Sequence, residues 1–181
     1  MELTKTYISG LFVVDTKIVS DERGYFYRAW ESNSLLIDDE EIKFVQYNIS
    51  HNHTKGTVRG MHMQLSPFGE IKLVRCIKGK VYDVAVDLRV DSATFMKFFG
   101  IELSEDNGKA LLIPEGCAHG FQTMENETTL LYMHSNMYDS SSEFSISYKE
   151  PKVNIQWPLE ITQISDKDRS VLLLDPKNST I

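Results

Sequence analysis

Three features that would each point to a class of protein are scarce in this sequence. Among 181 residues there are two cysteines, Cys76 and Cys117, and they do not form a CxxC pair. A disulfide-stabilised scaffold and a CxxC metal or redox site are therefore excluded. Because each cysteine lies within an apolar run, we predict two buried free thiols.

Positive charge and long hydrophobic runs are also lacking. The chain carries 19 basic and 26 acidic residues, a formal net charge of −7, which argues against nucleic-acid binding because phosphate contacts require a basic face. No apolar run approaches the length of a membrane span, and the N-terminus shows no hydrophobic signal-peptide core. With no internal repeat or linker, these absences predict one soluble, cytoplasmic domain over 1–181.

Alternation of apolar and polar residues dominates what is present. Residues 81–89 (VYDVAVDLR) have the period of two that is typical of half-buried strands, and 44–50, 108–124 and 130–133 form further short strand patterns. Many short strands separated by turn signals predict an all-β sandwich or barrel. Gly79, between two lysines, suggests a tight hairpin.

Short helices are predicted only at the edges of this pattern. One covers 31–41, and a second spans about 165–176 with Ser165 as its N-cap. His51 and His53 form an HxH pair in a polar segment that we interpret as a solvated loop. No carboxylate or cysteine stands near them in the sequence to complete a metal site.

Two histidine-containing spacings resemble the signature of the cupin superfamily, which implies a jelly-roll barrel. The second half of that signature matches fully from Gly108 to His119. In the first half, His62 is present but Gln64 replaces the second metal-ligand histidine, with Glu70 following at an altered spacing to the next glycine. Because Gln is a poor ligand for zinc or iron, we predict no metal and no cofactor.

A more specific resemblance covers residues from about 5 to 175. It rests on nine motifs that follow one another in order: DERG at 21–24, FVQxNxS at 44–50, VRGxHxQ at 58–64, KLVR at 72–75, DVAVDLR at 83–89, IPEGxAHGF at 113–121, LY at 131–132, WP at 157–158 and ISxKD at 164–168. Together they are similar to those of the dTDP-4-dehydrorhamnose 3,5-epimerase family, whose members act on nucleotide sugars.

The resemblance implies a catalytic role for four residues. Epimerisation beside a ketone needs a base, a stabiliser for the enolate and an acid on the opposite face of the sugar. The matching positions imply His62 as the base, Asp168 as its carboxylate partner, Lys72 as the cation at the C4 oxygen and Tyr132 as the acid.

Further positions match substrate-binding residues of the family. Arg23 and Arg59 would contact the diphosphate, and the remaining matches, facing the sugar or the nucleoside, are Gln46, Asn48, His119, Phe26 and Tyr138. The resemblance also implies a homodimer in which the N-terminal strands, about 1–30, are exchanged, so that Arg23 and Phe26 reach the partner's site.

The match departs from the family at three positions. Arg28 stands where a Glu usually accepts the thymine imide N–H, and Tyr47 and Ile49 replace a usual Asp and His. Because Arg only donates hydrogen bonds, a GDP- or CDP-linked sugar becomes an alternative to a dTDP-linked one.

We therefore expect an epimerase that inverts C3 and C5 of a nucleotide-linked 4-keto-6-deoxy sugar. Three alternatives stay open within the same fold: a 3-epimerase, a 3,4-ketoisomerase and a non-catalytic sugar-nucleotide-binding cupin. A metal-dependent cupin oxygenase is a fourth, which metal analysis of the purified protein would test.

Overall fold

Nearly all regular structure is β-strand, which confirms the all-β prediction. The computed structural model describes residues 1–31, 36–37 and 40–174. Its elements are β1 Glu2–Lys5, β2 Phe12–Asp15, β3 Val19–Asp21, β4 Gly24–Phe26, β5 Leu36–Ile37, β6 Glu40–Glu41, β7 Gln46–Asn52, β8 Val58–Gln64, β9 Lys72–Lys78, β10 Lys80–Asp87, β11 Phe98–Ser104, β12 Lys109–Ile113, β13 Cys117–Thr123, β14 Thr128–His134, β15 Glu143–Ser145 and α1 Asp166–Arg169.

Two antiparallel sheets form the body of the molecule. The first has six strands in the order β1-β2-β12-β9-β14-β7, and the second has five in the order β11-β10-β13-β8-β15. The β3–β4 and β5–β6 pairs are separate two-stranded sheets. Because strands adjacent in sequence often belong to different sheets, the chain passes repeatedly between layers, as in the predicted jelly roll.

The main core lies between the two large sheets. Val74 and Leu111 of the first sheet pack with Val81 and Phe121 of the second, and all four are almost completely buried. Cys76 and Cys117 belong to this cluster as free buried thiols, which confirms the cysteine prediction.

The outer face of each sheet is covered as well. Met61 and Val84 on the second sheet pack beneath Ile146 and Trp157 of the C-terminal segment. On the first sheet, a separate cluster combines Leu73 and Leu112 with apolar residues near the N-terminus, among them Leu3 and Trp30. These strands are therefore buried on both faces, and period-two alternation alone cannot tell which of their faces points inward.

The predicted hairpin at Gly79 is wrong. Gly79 has a φ of +72°, but β9 and β10 on either side of it belong to different sheets. A Cβ atom at this position would come within 2.8 Å of the Thr128 hydroxyl. The glycine thus permits a sharp crossing from one layer to the other.

The predicted helices are shorter or different. Within 31–41, Leu36–Ile37 pairs antiparallel with Glu40–Glu41, so a helix there is wrong, while 32–35 and 38–39 lie outside the described residues. Ser165 caps a single four-residue helix, Asp166–Arg169, and the predicted extension to 176 passes beyond residue 174, the last described in this region. In the part of the chain that the structure describes, no helix has the length and apolarity needed to cross a membrane.

Strand register brings four polar residues to one end of the barrel. His62 of β8 stands opposite His119 of β13 in the second sheet. In the first sheet, Lys72 of β9 stands opposite His134 of β14. The functional residues are therefore placed by sheet pairing.

Candidate active site

A cavity of about 600 Å³ opens between the two sheets. Its size suits a small organic ligand. Residues of both sheets and of the segment around α1 line it: Asn48, Ile49, Ser50, Thr57, Val58, Arg59, His62, Lys72, His119, Gly120, Phe121, Tyr132, His134, Gln163, Ile164, Ser165, Lys167 and Asp168.

His62 and Asp168 form a hydrogen-bonded pair in the wall of this cavity. The His62 Nε2 atom lies 2.6 Å from Asp168 Oδ1, and the Asp168 side chain is only 4% exposed. Burial alone would raise the pKa of Asp168, but its hydrogen bond and charge interaction with His62 outweigh burial and lower the pKa below 3.8. A carboxylate that stays ionised orients the ring and stabilises an imidazolium, so His62 is arranged as a base.

The short C-terminal helix holds Asp168 in place. Ser165 Oγ accepts a hydrogen bond from the Asp168 backbone N–H at 3.1 Å, as an N-cap does. The Gly60 N–H on β8 donates to Asp168 Oδ2 at 3.3 Å. The carboxylate is thus fixed both by its own helix and by the strand that carries His62.

Lys72 lies on the opposite sheet within a buried polar cluster. Its ammonium is 3.2 Å from Glu70 Oε1 and donates to the His62 carbonyl oxygen at 3.2 Å. Glu70 also accepts a hydrogen bond from His134 Nδ1 at 2.9 Å. Burial would raise the pKa of Glu70, but His134 and the Lys72 charge outweigh it and lower that pKa below 4.5. The ionised carboxylate therefore holds Lys72 and His134 together.

His134 in turn orients Asn48 at the cavity wall. The Asn48 Nδ2 atom lies 3.2 Å from His134 Nε2. Since the Glu70 carboxylate can only accept, the proton of neutral His134 sits on Nδ1 and its Nε2 accepts from the Asn48 amide. This leaves the Asn48 carbonyl oxygen as the group offered to a ligand.

Tyr132 and His119 complete the inner surface. Their rings meet edge to face with centroids 5.7 Å apart, and His119 Nε2 is 2.9 Å from the fully buried Asp83. Burial first, and then the Asp83 charge, raise the pKa of Tyr132 above its ordinary 10.0. The phenol is therefore protonated at neutral pH and suited to act as an acid.

The donors that correspond to a cupin metal site do not fit a metal ion. Gln64 holds a loop instead, donating to the Phe68 carbonyl at 2.9 Å and accepting from the Asp139 N–H at 2.6 Å. Glu70 is bonded to Lys72 and His134 of the six-stranded sheet. The Nε2 atoms of His62 and His119, the two histidines of the cupin signature, each face a carboxylate. No step is therefore routed through a metal at this position.

The structure brings together seven of the twelve predicted site residues. His62, Lys72, Tyr132, Asp168, Asn48, Arg59 and His119 all line the cavity. Gln46 and Tyr138 contact each other beside it, with the Tyr138 N–H donating to Gln46 Oε1 at 3.0 Å, but neither lines it.

The three predicted residues near the N-terminus lie outside the cavity. The Arg23 side chain is 85% exposed and pairs with Asp21, and Phe26 is 70% exposed. Arg28 Nη1 lies 2.6 Å from Glu31 Oε1. The predicted roles of Arg23 and Phe26 lie across a dimer, so these positions in one chain do not test them, and the roles of all three residues stay predictions.

Sequence reasoning missed His134, and it missed that Glu70 bonds to His134 and Lys72. His134 follows Tyr132 by two positions on one strand, so alternation places both on the same face. That signal was available. The partnership of Glu70 with His134 was not, because 64 residues separate them.

Comparison with known proteins identifies the family of the chain. The family model described as dTDP-4-dehydrorhamnose 3,5-epimerase matches residues 5–175. A protein of that name from Shigella flexneri is 40% identical over 171 residues, covering 93% of each chain.

Solved structures lead to the same family. The Bacillus anthracis dTDP-4-dehydrorhamnose 3,5-epimerase, crystallised with TDP and pyrophosphate, superposes with a TM-score of 0.91 at 34% identity, covering 96% of this chain and 99% of that one. A Legionella pneumophila 3,5-epimerase in complex with dTDP-4-keto-L-rhamnose gives 0.86 at 37% identity, with 98% and 95% covered. With the family model matching nearly the whole length, this chain belongs to the dTDP-4-dehydrorhamnose 3,5-epimerase family.

Proposed function

We propose that this protein inverts C3 and C5 of a nucleotide-linked 4-keto-6-deoxy sugar. The observation that carries the proposal is the His62–Asp168 pair on one wall of a cavity whose other wall holds Lys72 and Tyr132. A base with an ionised partner, a cation and a protonated phenol are the groups that epimerisation beside a ketone requires.

The first step removes a proton from carbon. His62 takes the proton of the C–H beside the C4 ketone, using the ring nitrogen that is not bonded to Asp168. The electron pair of that bond moves into the carbonyl group and forms an enolate. Lys72 stabilises the negative charge on its oxygen, and Asp168 stabilises the imidazolium.

The second step returns a proton to the opposite face. The Tyr132 phenol protonates the same carbon, the carbonyl re-forms and the configuration is inverted. His62 then loses its proton to water, and Tyr132 takes up a new proton from water. The reaction is redox-neutral and balances in atoms and electrons with these groups alone, in line with the prediction that no cofactor takes part. Repetition at the second carbon inverts both centres.

We further propose that the working protein is a homodimer with exchanged N-terminal hairpins. β3 and β4 form an isolated pair whose six residues are all exposed, including the aromatic Tyr25 and Phe26. An isolated two-stranded hairpin is only marginally stable, and exposed aromatic rings mark a surface that binds another protein surface. In a partner's cavity, Arg23 would meet the diphosphate and Phe26 the nucleoside. A cytoplasmic location also stays a prediction from the sequence.

The identity of the nucleotide base is the property of the substrate that the residues of this chain determine least. Arg28 replaces the usual carboxylate, but its ion pair with Glu31 places an acceptor beside the cation. We propose a dTDP-linked sugar whose thymine imide N–H meets Glu31. GDP- and CDP-linked sugars remain the competing substrates because Arg28 can donate to base acceptors.

The test is proton NMR in D₂O with 4-keto-6-deoxy sugars linked to dTDP, GDP and CDP. We expect deuterium at both C3 and C5 of the dTDP-linked substrate. Exchange at C3 alone would reduce the function to a 3-epimerase. Movement of the keto group without exchange at C5 would favour a ketoisomerase, and binding without any exchange would favour a non-catalytic protein.

A further inference from the structure

His51, His53 and Glu127 form a compact cluster outside the cavity. His51 Nε2 lies 3.0 Å from Glu127 Oε2, and His53 Nδ1 lies 3.2 Å from Glu127 Oε1. One donor atom from each of the three residues can be chosen so that all lie within 4.8 Å of one another. The two rings meet edge to face at 4.8 Å between centroids. The carboxylate that seemed to be missing from the HxH pair is therefore supplied by a distant part of the chain.

Strand pairing explains why these residues meet. His51 stands opposite Thr129 in the register of β7 and β14, and the Glu127 backbone N–H donates to the His53 carbonyl oxygen. His51 and His53 are two positions apart, as are Glu127 and Thr129. His53 and Glu127 lie just beyond the ends of the strands, and the side-chain contacts of His51 with Thr129 and of both histidines with Glu127 place all four side chains on one face.

The donor set matches a divalent transition metal. Two imidazole nitrogens with one carboxylate oxygen is a known zinc ligand set, with metal–ligand distances of about 2.0–2.2 Å. Tetrahedral geometry at such distances separates ligand atoms by about 3.3 Å. The two imidazole–carboxylate spacings of 3.0 and 3.2 Å are close to that value, but they end on different oxygens of Glu127. One donor atom from each residue lies within 4.8 Å of the others, so the three exposed side chains would move together by up to about 1.5 Å to share one ion.

The surroundings prepare these donors for a cation. His51 Nδ1 is 2.9 Å from the Thr129 hydroxyl, an outer contact that fixes the ring with Nε2 toward Glu127. His51 and His53 bond to the two oxygens of the Glu127 carboxylate, one ring to each, and so hold it between them. Two imidazoles already share this one carboxylate, and a metal ion would take the place of their protons.

We propose that His51, His53 and Glu127 bind one divalent transition metal, with Zn²⁺ as the best match. Imidazole favours Zn²⁺ and similar ions over Mg²⁺ and Ca²⁺, which prefer oxygen ligands. The ion would clamp the end of β7 to the turn before β14. None of the three ligands lines the catalytic cavity, so the site is independent of the proposed epimerase reaction.

The test is calorimetric titration of metal-stripped full-length protein with Zn²⁺ at about pH 7.5, where neutral imidazoles bind metal. We expect one ion per chain and a rise in the thermal midpoint, because a ligand that binds only the folded state stabilises it. Mg²⁺ should give neither signal.

Matched variants separate this site from the cavity. H53A and E127Q change side chains that are 78% and 54% exposed, so both should fold normally and bind Zn²⁺ at least tenfold more weakly. The chain has five histidines, and the other three line the cavity. H62N should therefore keep the Zn²⁺ affinity of the unaltered protein. Zn²⁺ binding that is lost in H62N but kept in H53A and E127Q, or no binding at all by the unaltered protein, would overturn the proposal.

Discussion

The cavity wall and the β3–β4 hairpin each hold a carboxylate–cation pair, in opposite surroundings. Glu70 and Lys72 are 3.2 Å apart with side chains 8% and 9% exposed, and Glu70 bonds a further residue. Asp21 and Arg23 approach to 2.5 Å, yet both side chains are substantially exposed. The first pair is placed by sheets of its own chain, whereas the second pair lies on an exposed two-stranded hairpin that belongs to neither large sheet.

This difference separates the site into two kinds of function. Groups that must be aligned with a reacting carbon, such as His62 and Tyr132, lie on strands whose register fixes them. Groups predicted to hold the nucleotide, such as Arg23, lie on a hairpin without intramolecular cover. We therefore infer that the catalytic groups are preorganised within one chain, and we propose that the contacts of the nucleotide with the hairpin depend on the homodimer.

The largest expected effect comes from removing the base. In H62N, we expect kcat to fall about 10³-fold, because general base catalysis supplies roughly 10²–10⁴ of the rate. Deuterium uptake by the substrate should fall equally. In the matched variant Y132F, the proton is still removed, so exchange should continue while inversion is lost. Loss of inversion without loss of exchange in H62N would contradict the assignment of the base.

The second effect tests the hairpin. R23A removes the proposed phosphate contact, and a charge-assisted hydrogen bond of this kind is worth about 1.5–3 kcal/mol, so kcat/KM should fall roughly 10- to 100-fold. KM should account for most of the change, since the chemistry is remote from the diphosphate.

A heterodimer of R23A and H62N chains, purified through two different tags, determines which chain's site Arg23 serves. If the hairpin crosses to the partner, one of the two sites contains both native residues, and the heterodimer keeps about half of the native activity. If Arg23 serves its own chain, each site carries one defect, and activity falls to about half of that of the R23A homodimer because the H62N site contributes almost nothing.

Sequence reasoning identified the residues of the cavity well for a physical reason. His62, Lys72 and Tyr132 lie on strands that alternate, and the motifs around them carry a resemblance that implies their roles. The same reasoning failed at Gly79, because a local pattern shows that two strands are adjacent in sequence without showing whether they pair. It also failed for Glu127, whose partners His51 and His53 are 76 and 74 residues away.

A third prediction compares the two ion pairs directly. E70Q leaves the Lys72 ammonium buried beside a neutral amide, and breaking a buried pair in this way costs roughly 3–5 kcal/mol of stability. We expect a lower denaturant midpoint and a kcat reduced about tenfold with KM little changed, because Lys72 acts on the enolate. Its counterpart, D21N, breaks an exposed pair and should leave the midpoint unchanged. Equal losses of stability in both variants would remove the distinction between the regions.

The smallest expected effect concerns base preference at Arg28. In R28E, a carboxylate returns to the position that faces thymine in the family, so discrimination in favour of dTDP over GDP substrates should rise about threefold to tenfold. The measurement is the ratio of kcat/KM values for the two substrates. K17E is the matched control, since it makes the same charge change at another exposed position near the hairpin and should leave the ratio unchanged. A fall in the ratio for R28E would mean that Arg28 itself contacts the thymine, and that Glu31 serves only to hold the cation in place.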